Sequence, residues 1–429
     1  MGKPNRKHRA AKRAAQGDSG YWERLGAPGA PPPTLDEITA AVARAALESA
    51  QQGARGKTPR GDSAVAQRCA AQLATLSLDE VPRAADAAST RIVEATFGNG
   101  WLPADIHQIA QRRTDAFAVG YLIDRIAAYA RPFPPATVDQ TWLAQLDELA
   151  ADIWWSQPTP HLAQWASKHL LTTEEALATV IEALALLLVL PKLELIRPLP
   201  GTAPAHPVAH HQVDEKTLGR VRGLLAKAES TSYPEEAEAL SAKAQELITK
   251  YALDRALLEA ATTTLDLPGA HRIWLDTPYT DAKALLIDVV ARANRSRAIF
   301  ASAWGFVTIV GDDADLDAIA LLSTSLLVQA TRAMIANRET RGDEARMFRK
   351  AFLVAYATRI GERLEAATAA AIAESPEPEQ LLPVLASHQV AVDNAFDTLF
   401  PHSRNRGISI RSAEGWDAGR AAADRAHLH

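Results

Sequence analysis

Three clusters in this 429-residue chain have side chains whose types and spacing could do chemistry. His206, His210, His211 and Asp214 fall within nine residues, and imidazole with carboxylate is a ligand set for divalent metals. On a helix His206 and His210 would share a face, but Pro207 lies between them. The segment therefore reads as a solvated linker that fixes no ligand. Asp312, Asp313, Asp315 and Asp317 follow Gly311 at the end of an expected strand, where clustered carboxylates can hold Mg²⁺. The same acids suit the positive N-terminus of the long helix expected next, with Asp312 or Asp313 as its cap. His206, His210, Asp312 and Asp315 are thus the metal candidates, set against an expectation of no metal and no other cofactor. Gly56-Lys57-Thr58 imitates the end of a phosphate-binding loop, but Gln51 stands where that loop has its first glycine, and Pro59 would disturb the following helix. It reads as a loop between helices. H-E-x-x-H, G-x-S-x-G, G-x-G-x-x-G and C-x-x-C are all absent from the sequence.

Basic residues offer a different chemistry, the pairing of phosphate. Residues 1–17 carry Lys3, Arg6, Lys7, Arg9, Lys12 and Arg13 and no acid. The chain has 46 Lys+Arg against 51 Asp+Glu; removing those six leaves 40 basic residues against 51 acidic, or −11. A body that acidic repels phosphate on average, so any sequence-independent grip must come from the tail or from local patches. Such patches are Arg295 and Arg297 beside Asn294, Arg404, Arg406 and Arg411 near the C-terminus, and Lys216, Arg220 and Lys227. The last three project along one helical stripe, roughly 120° from the apolar one. Trp101, Trp154, Trp155, Trp274 and Trp304 are expected to fill cores rather than stack on bases.

The elements that must position these residues are mostly helices. At roughly 150 residues per domain the length suits two or three domains. The lone Cys69 excludes an intrachain disulfide framework and fits a reducing cytoplasm. The tail has no apolar run of a secretory signal. The most apolar stretch, residues 183–191, is about half the ~18 residues a membrane span needs. A soluble cytoplasmic protein without a membrane partner is expected.

Residues 1–34 read as a disordered basic tail with a Pro-rich linker. A helical pattern then covers 35–197, broken at 53–61, 132–135 and 158–160, with 180–190 apolar enough on all sides to be a buried central helix. Residues 198–213 form the next linker. Residues 214–260 make a helical hairpin: Leu218, Val221, Leu224, Leu225 and Ala228 are one stripe, and Ala237, Leu240, Ala244, Leu247, Ile248 and Tyr251 the other. Ser232 and Glu235 read as a capping box between them. The two stripes should face each other and the C-terminal sheet, with Leu224 buried. In 261–429, short strands are expected at 272–275, 298–301, 306–310 and 408–410, with Trp304-Gly305 turning a hairpin. Helices are expected at 281–293, 315–337, 344–373, 381–399 and from 414. The fold class is α+β and predominantly α-helical: an all-α N-terminal domain, a central hairpin, and a small antiparallel sheet covered by helices.

Leu218-Gly-Arg-Val-Arg-Gly-Leu-Leu-Ala-Lys-Ala-Glu-Ser-Thr231, Pro234-Glu-Glu-Ala-Glu-Ala-Leu240, Lys243-Ala-Gln-Glu-Leu247 and Tyr251-Ala-Leu-Asp254 closely resemble the bacterial family catalogued as domain of unknown function 2786. Relatives often carry His where this chain has Tyr251, so the resemblance implies no histidine role there. Trp274-Leu-Asp-Thr-Pro-Tyr279, Leu285-Leu286, Ala293-Asn-Arg295, Val310-Gly311, Phe348-Arg-Lys-Ala-Phe352 and Gly415-Trp-Asp-Ala-Gly-Arg-Ala-Ala-Ala-Asp-Arg425 resemble the domain catalogued as 7168 that commonly follows it. Gly100-Trp-Leu-Pro-Ala-Asp105 looks like the helical extension of actinobacterial members. The resemblance implies no activity. The expectation is a non-enzymatic binding protein that touches DNA, RNA or a ribonucleoprotein through its tail, with Arg220, Lys227, Arg295 and Arg297 as further contacts. The alternatives are a scaffold for a protein partner and a metal-dependent hydrolase or nuclease.

Overall fold

The computed structural model describes residues 21–22, 25, 31–55, 61–156, 158–202, 211–231, 234–262, 268–336, 343–375, 378–403 and 412–425. Among them are fifteen α-helices and one three-stranded antiparallel sheet, in two compact units, Met1–Ala205 and His206–His429. The chain is predominantly α with a small sheet, as its periodicities predict.

In the first unit the helices are α1 (Leu35–Arg55), α2 (Ser63–Leu73), α3 (Glu80–Gly98), α4 (Pro103–Arg113), α5 (Ala116–Ala130), α6 (Gln140–Glu148), α7 (His161–Lys168) and α8 (Thr173–Leu188). Their starts are written in polar side chains. Asp62 and Asp115 accept backbone N–H bonds at the first turns of α2 and α5. Thr172 and Glu175 cap α8 reciprocally, at 2.8 and 3.2 Å. The expected central helix is α8: Ala176, Leu177, Val180, Ile181 and residues 183–187 are all buried, leaving only a narrow strip through Glu175, Thr179 and Glu182 and the end at Leu188 towards solvent. Trp101, Trp142 and Trp165 fill the core around it.

The second unit opens with the hairpin, α9 (His211–Ser230) and α10 (Pro234–Thr262). The first helix thus starts three residues earlier than the linker reading allowed. Then come β1 (Pro268–Trp274), α11 (Thr280–Ala293), β2 (Arg297–Ala301), β3 (Phe306–Asp312), α12 (Asp313–Ala336), α13 (Asp343–Ala373), α14 (Pro378–Leu399) and α15 (Ala413–Arg425). The strand order is β1-β3-β2 with both pairings antiparallel, and Gly305, at φ +84°, closes the β2–β3 hairpin as expected. Register places Ile273 beside Val307 and Ala298 beside Ile309 on one face. That face shares a single core with Val221 and Leu225 of α9, Ala244 and Ile248 of α10, Ile287 and Val290 of α11, and Phe352 and Ile360 of α13. The hairpin stripes therefore do meet each other and the sheet, but Leu224 is only half-buried; Val221 and Leu225 are the enclosed residues. Helix α12 is long and apolar enough to cross a membrane by length and composition, yet Leu316, Ile319, Leu322 and Leu326 belong to this core. Ser232, the linker residues 203–210 and the expected strand at 408–410 lie outside the described residues.

Candidate functional site

Two sequence clusters that looked separate meet in the second unit. Asp312 ends β3, Asp315 sits in the first turn of α12, and Arg295 occupies the turn from α11 into β2. Arg255, near the end of α10, joins them: its Nη2 lies 2.6 Å from Asp312 Oδ2 and 3.1 Å from Asp315 Oδ2, and its Nη1 donates to Asp315 Oδ1 at 3.2 Å. His388 of α14 places Nδ1 3.3 Å from Asp312 Oδ2. Arg295 Nη2 stands 3.9 Å from Asp315 Oδ2, held there by a left-handed backbone at φ +56° that a non-glycine residue adopts only under constraint. With Asn294, Leu385 and Val392 these residues line a pocket whose interior, about 10 Å³, has room for roughly one water.

Burial sets the protonation balance here. It pushes the Asp315 carboxyl above its ordinary value, and the Arg255 charge only partly opposes this. Burial acts on Asp312 too, but the His388 hydrogen bond and the Arg255 charge outweigh it and hold Asp312 below the usual carboxylate range. The Arg295 guanidinium is itself lowered by burial, against the pull of Asp315. The arrangement is a clamp: one guanidinium closes α10 onto the end of the sheet, and His388 fastens α14 to the same carboxylate. Asp312 therefore turns to Arg255 and His388 rather than serving simply as a helix cap. Since Arg255 fills the space between the two carboxylates, the metal candidates Asp312 and Asp315 do not fit a divalent cation. Among the described residues no three His, Cys, Asp or Glu side chains converge as ligands. His206 and His210 lie outside the described residues.

Sequence reasoning missed Arg255 and His388, and also a buried amide pair that locks the hairpin to α11. Gln245 Nε2 donates to Asn294 Oδ1 at 2.9 Å and to Thr249 Oγ1 at 2.9 Å, while Asn294 Nδ2 donates to the Val290 carbonyl at 2.9 Å. In the first unit it missed another network. His161, 1 % exposed at its side chain, holds Asp124 at 2.7 Å from Nε2, and Trp154 Nε1 donates to the same carboxylate at 2.9 Å. Trp154 is thus part-exposed and hydrogen-bonded, not a simple core filler. The His161 backbone N–H donates to Asp86, which Arg125 approaches to 3.4 Å. Burial raises the Asp86 carboxyl despite Arg125 and His161. Trp155, itself buried, packs with its ring centroid 4.4 Å from that of the imidazole.

The basic patches separate sharply. Arg297 is spent internally, at 3.3 Å from Asp393 and 3.2 Å from Asp397 of α14, with its guanidinium 3.9 Å over the Phe396 ring. Arg295 belongs to the clamp. Neither presents a free cation to phosphate. The face of α9 is different: Lys216, Arg220 and Lys227 are all exposed, opposite the buried Val221, Leu225 and Ala228. Among the described residues Lys216 and Arg220 have no ion-pair partner, and Lys227 has an exposed one, Glu236, at 3.2 Å. Lys3, Arg6, Lys7, Arg9, Lys12 and Arg13 lie outside the described residues, as do Arg404, Arg406, Arg411 and Gly56-Lys57-Thr58.

No curated protein and no solved structure matches the chain. Residues 216–255, which begin at Lys216 on the exposed face of α9 and end at Arg255 in the clamp, match the family described as "Protein of unknown function (DUF2786)".

Proposed function

We propose that this is a non-enzymatic nucleic-acid-binding protein that grips phosphate backbones without reading sequence, using its N-terminal basic residues and the outer face of α9. One observation carries the reading: Lys216, Arg220 and Lys227 line one exposed side of a helix whose other side is anchored in the core. Phosphate contacts of this kind position a protein on a strand and carry no base information. The clamp supports the non-enzymatic part, because its carboxylates are closed by Arg255 and its pocket holds little more than a water. Within this reading residues 261–429 are the 7168-like domain and 35–197 the helical extension of actinobacterial members, on the motifs given above. The protein works in a bacterial cytoplasm, where buried Cys69 stays reduced.

A salt titration of binding to a labelled duplex tests it. Six tail contacts and three on α9 predict a slope of log affinity against log salt of roughly −8, at about −0.9 per phosphate. Deleting residues 1–17 should leave roughly −3. A chain that binds neither DNA nor RNA at low salt overturns the reading and favours a protein partner.

A further inference from the structure

Helix α9 carries glycine at 219 and 223, one turn apart and both exposed. A Cβ placed at either position meets no atom within 4 Å, and neither backbone is left-handed, so nothing inside the chain asks for glycine there. The same spacing recurs in α15 at Gly415 and Gly419, where the reason is plain. A Cβ at Gly415 would lie 2.5 Å from the Phe348 carbonyl oxygen, and one at Gly419 would run into that of Phe352. Helix α15 thus lies backbone against backbone on α13. Glycine weakens a helix interior; Gly120 of α5 is likewise uncrowded, but the α9 pair differs in lying one turn apart beside a row of exposed cations.

The charges around that face select what approaches. Relative to Lys216, helix geometry puts Arg220 at about 40°, Lys227 at about 20°, Gly223 at about −20° and Gly219 at about −60°. The glycines therefore open directly beside a row of cations. A second copy of α9 would bring like charges together, and an apolar helix would strand Lys216 and Arg220 without counter-charge. From Lys216 to Lys227 the helix advances about 16 Å, enough to follow several phosphates at about 3.4 Å of axial rise per strand.

We propose that the α9 face is a docking surface for the phosphodiester backbone of nucleic acid, with Gly219 and Gly223 letting the strand lie against the helix while Lys216, Arg220 and Lys227 pair its phosphates. This rests on the nucleic-acid reading above and adds where and how the strand sits. The exposed Lys227–Glu236 pair is no obstacle, since such pairs are weak and open readily.

The test is the Gly219→Ala/Gly223→Ala double variant of the full chain. All charges remain, so the salt slope should not move, while the new methyl groups hold the strand off and affinity for a labelled duplex should fall about tenfold. The same variant should melt about 4–8 °C higher, because alanine fits both positions and favours the helix. A more stable variant that binds as tightly as the parent overturns the docking proposal and leaves nucleic-acid binding by the tail intact. A lower melting temperature shows that the glycines serve packing and overturns it as well. A parent chain that ignores DNA and RNA but captures an acidic helical peptide, with loss in the alanine variant, reassigns the face to a protein partner.

Discussion

Removing Arg255 should expose how the clamp is balanced. Its guanidinium is the counter-charge for Asp315, whose side chain is 6 % exposed, and for Asp312, at 15 %. Arg255→Leu keeps apolar bulk against Tyr251 and Leu385 but leaves buried carboxylate behind. Breaking one side of a buried pair costs about 3–5 kcal/mol, whereas replacing both sides by apolar groups is often close to neutral. Arg255→Leu/Asp315→Leu should therefore recover most of the loss. The pH dependence carries a definite sign. Asp315 has a folded pKa above its unfolded value, so the folded state keeps a proton that the unfolded state has already released, and stability falls as pH rises through that window. Arg255 pulls that pKa down; deleting it extends the window upward, and the deficit of the single variant should shrink on acidification from about pH 7 to about pH 5. Asp312 works oppositely: its contribution is present above its unfolded pKa and fades as pH drops towards the lower folded one. The assay is urea unfolding at both pH values, with amide exchange in α10 and α14 as the local readout. Equal losses at the two pH values, or a double variant as unstable as the single, would refute the clamp.

Other substitutions probe the remaining contacts. Leu225→Ala, at 2 % exposure in the core shared by hairpin and sheet, should cost about 2–5 kcal/mol in chemical denaturation, and Leu224→Ala clearly less because that side chain is half-buried. Asn294→Leu takes from the buried Gln245 its partner across the helices, leaving only Thr249, and should cost about 1–3 kcal/mol, with faster amide exchange where α10 meets α11. Trp154→Phe removes the indole donor to Asp124 and should lower the melting temperature of the first unit, read in a thermal scan.

Much of the fold is legible along the chain because its signals are local. Pro132, Pro160 and Trp304-Gly305 end or turn elements whatever surrounds them, and α8 declares its burial by an apolar face much wider than the usual stripe. The site is less legible because its partners are remote in sequence. Arg255 and Asp315 are sixty residues apart, Arg297 and Asp397 a hundred, and His161 and Asp124 thirty-seven. No period or motif encodes such pairings. The acids at 312–317 suit a cation, a helix N-terminus or a guanidinium equally well, and only the end of α10 arriving beside them decides for the guanidinium. Leu224 and Leu225 show the same limit at finer grain: both fall on the apolar stripe, and the angle at which α9 meets its neighbours chooses which is enclosed.

The two helices of the hairpin divide their labour, and this explains how α9 tolerates a glycine-bearing outer face. Most of a helix's stability in a protein comes from its packed side rather than from propensity. Val221, Leu225 and Ala228 are buried, the Glu229 carbonyl accepts from Arg332 of α12, and Thr231 Oγ1 donates to Glu236 at 2.7 Å across the turn. Helix α10 is tied more deeply still, through Gln245 to Asn294 and through Arg255 to the end of the sheet. With both helices held from the inside, about 1 kcal/mol lost at each of Gly219 and Gly223 does not threaten the hairpin. The outward side of α9 thus carries Lys216, Arg220 and two glycines that no packing contact inside the chain requires, while Lys227 ties it to Glu236 across the turn.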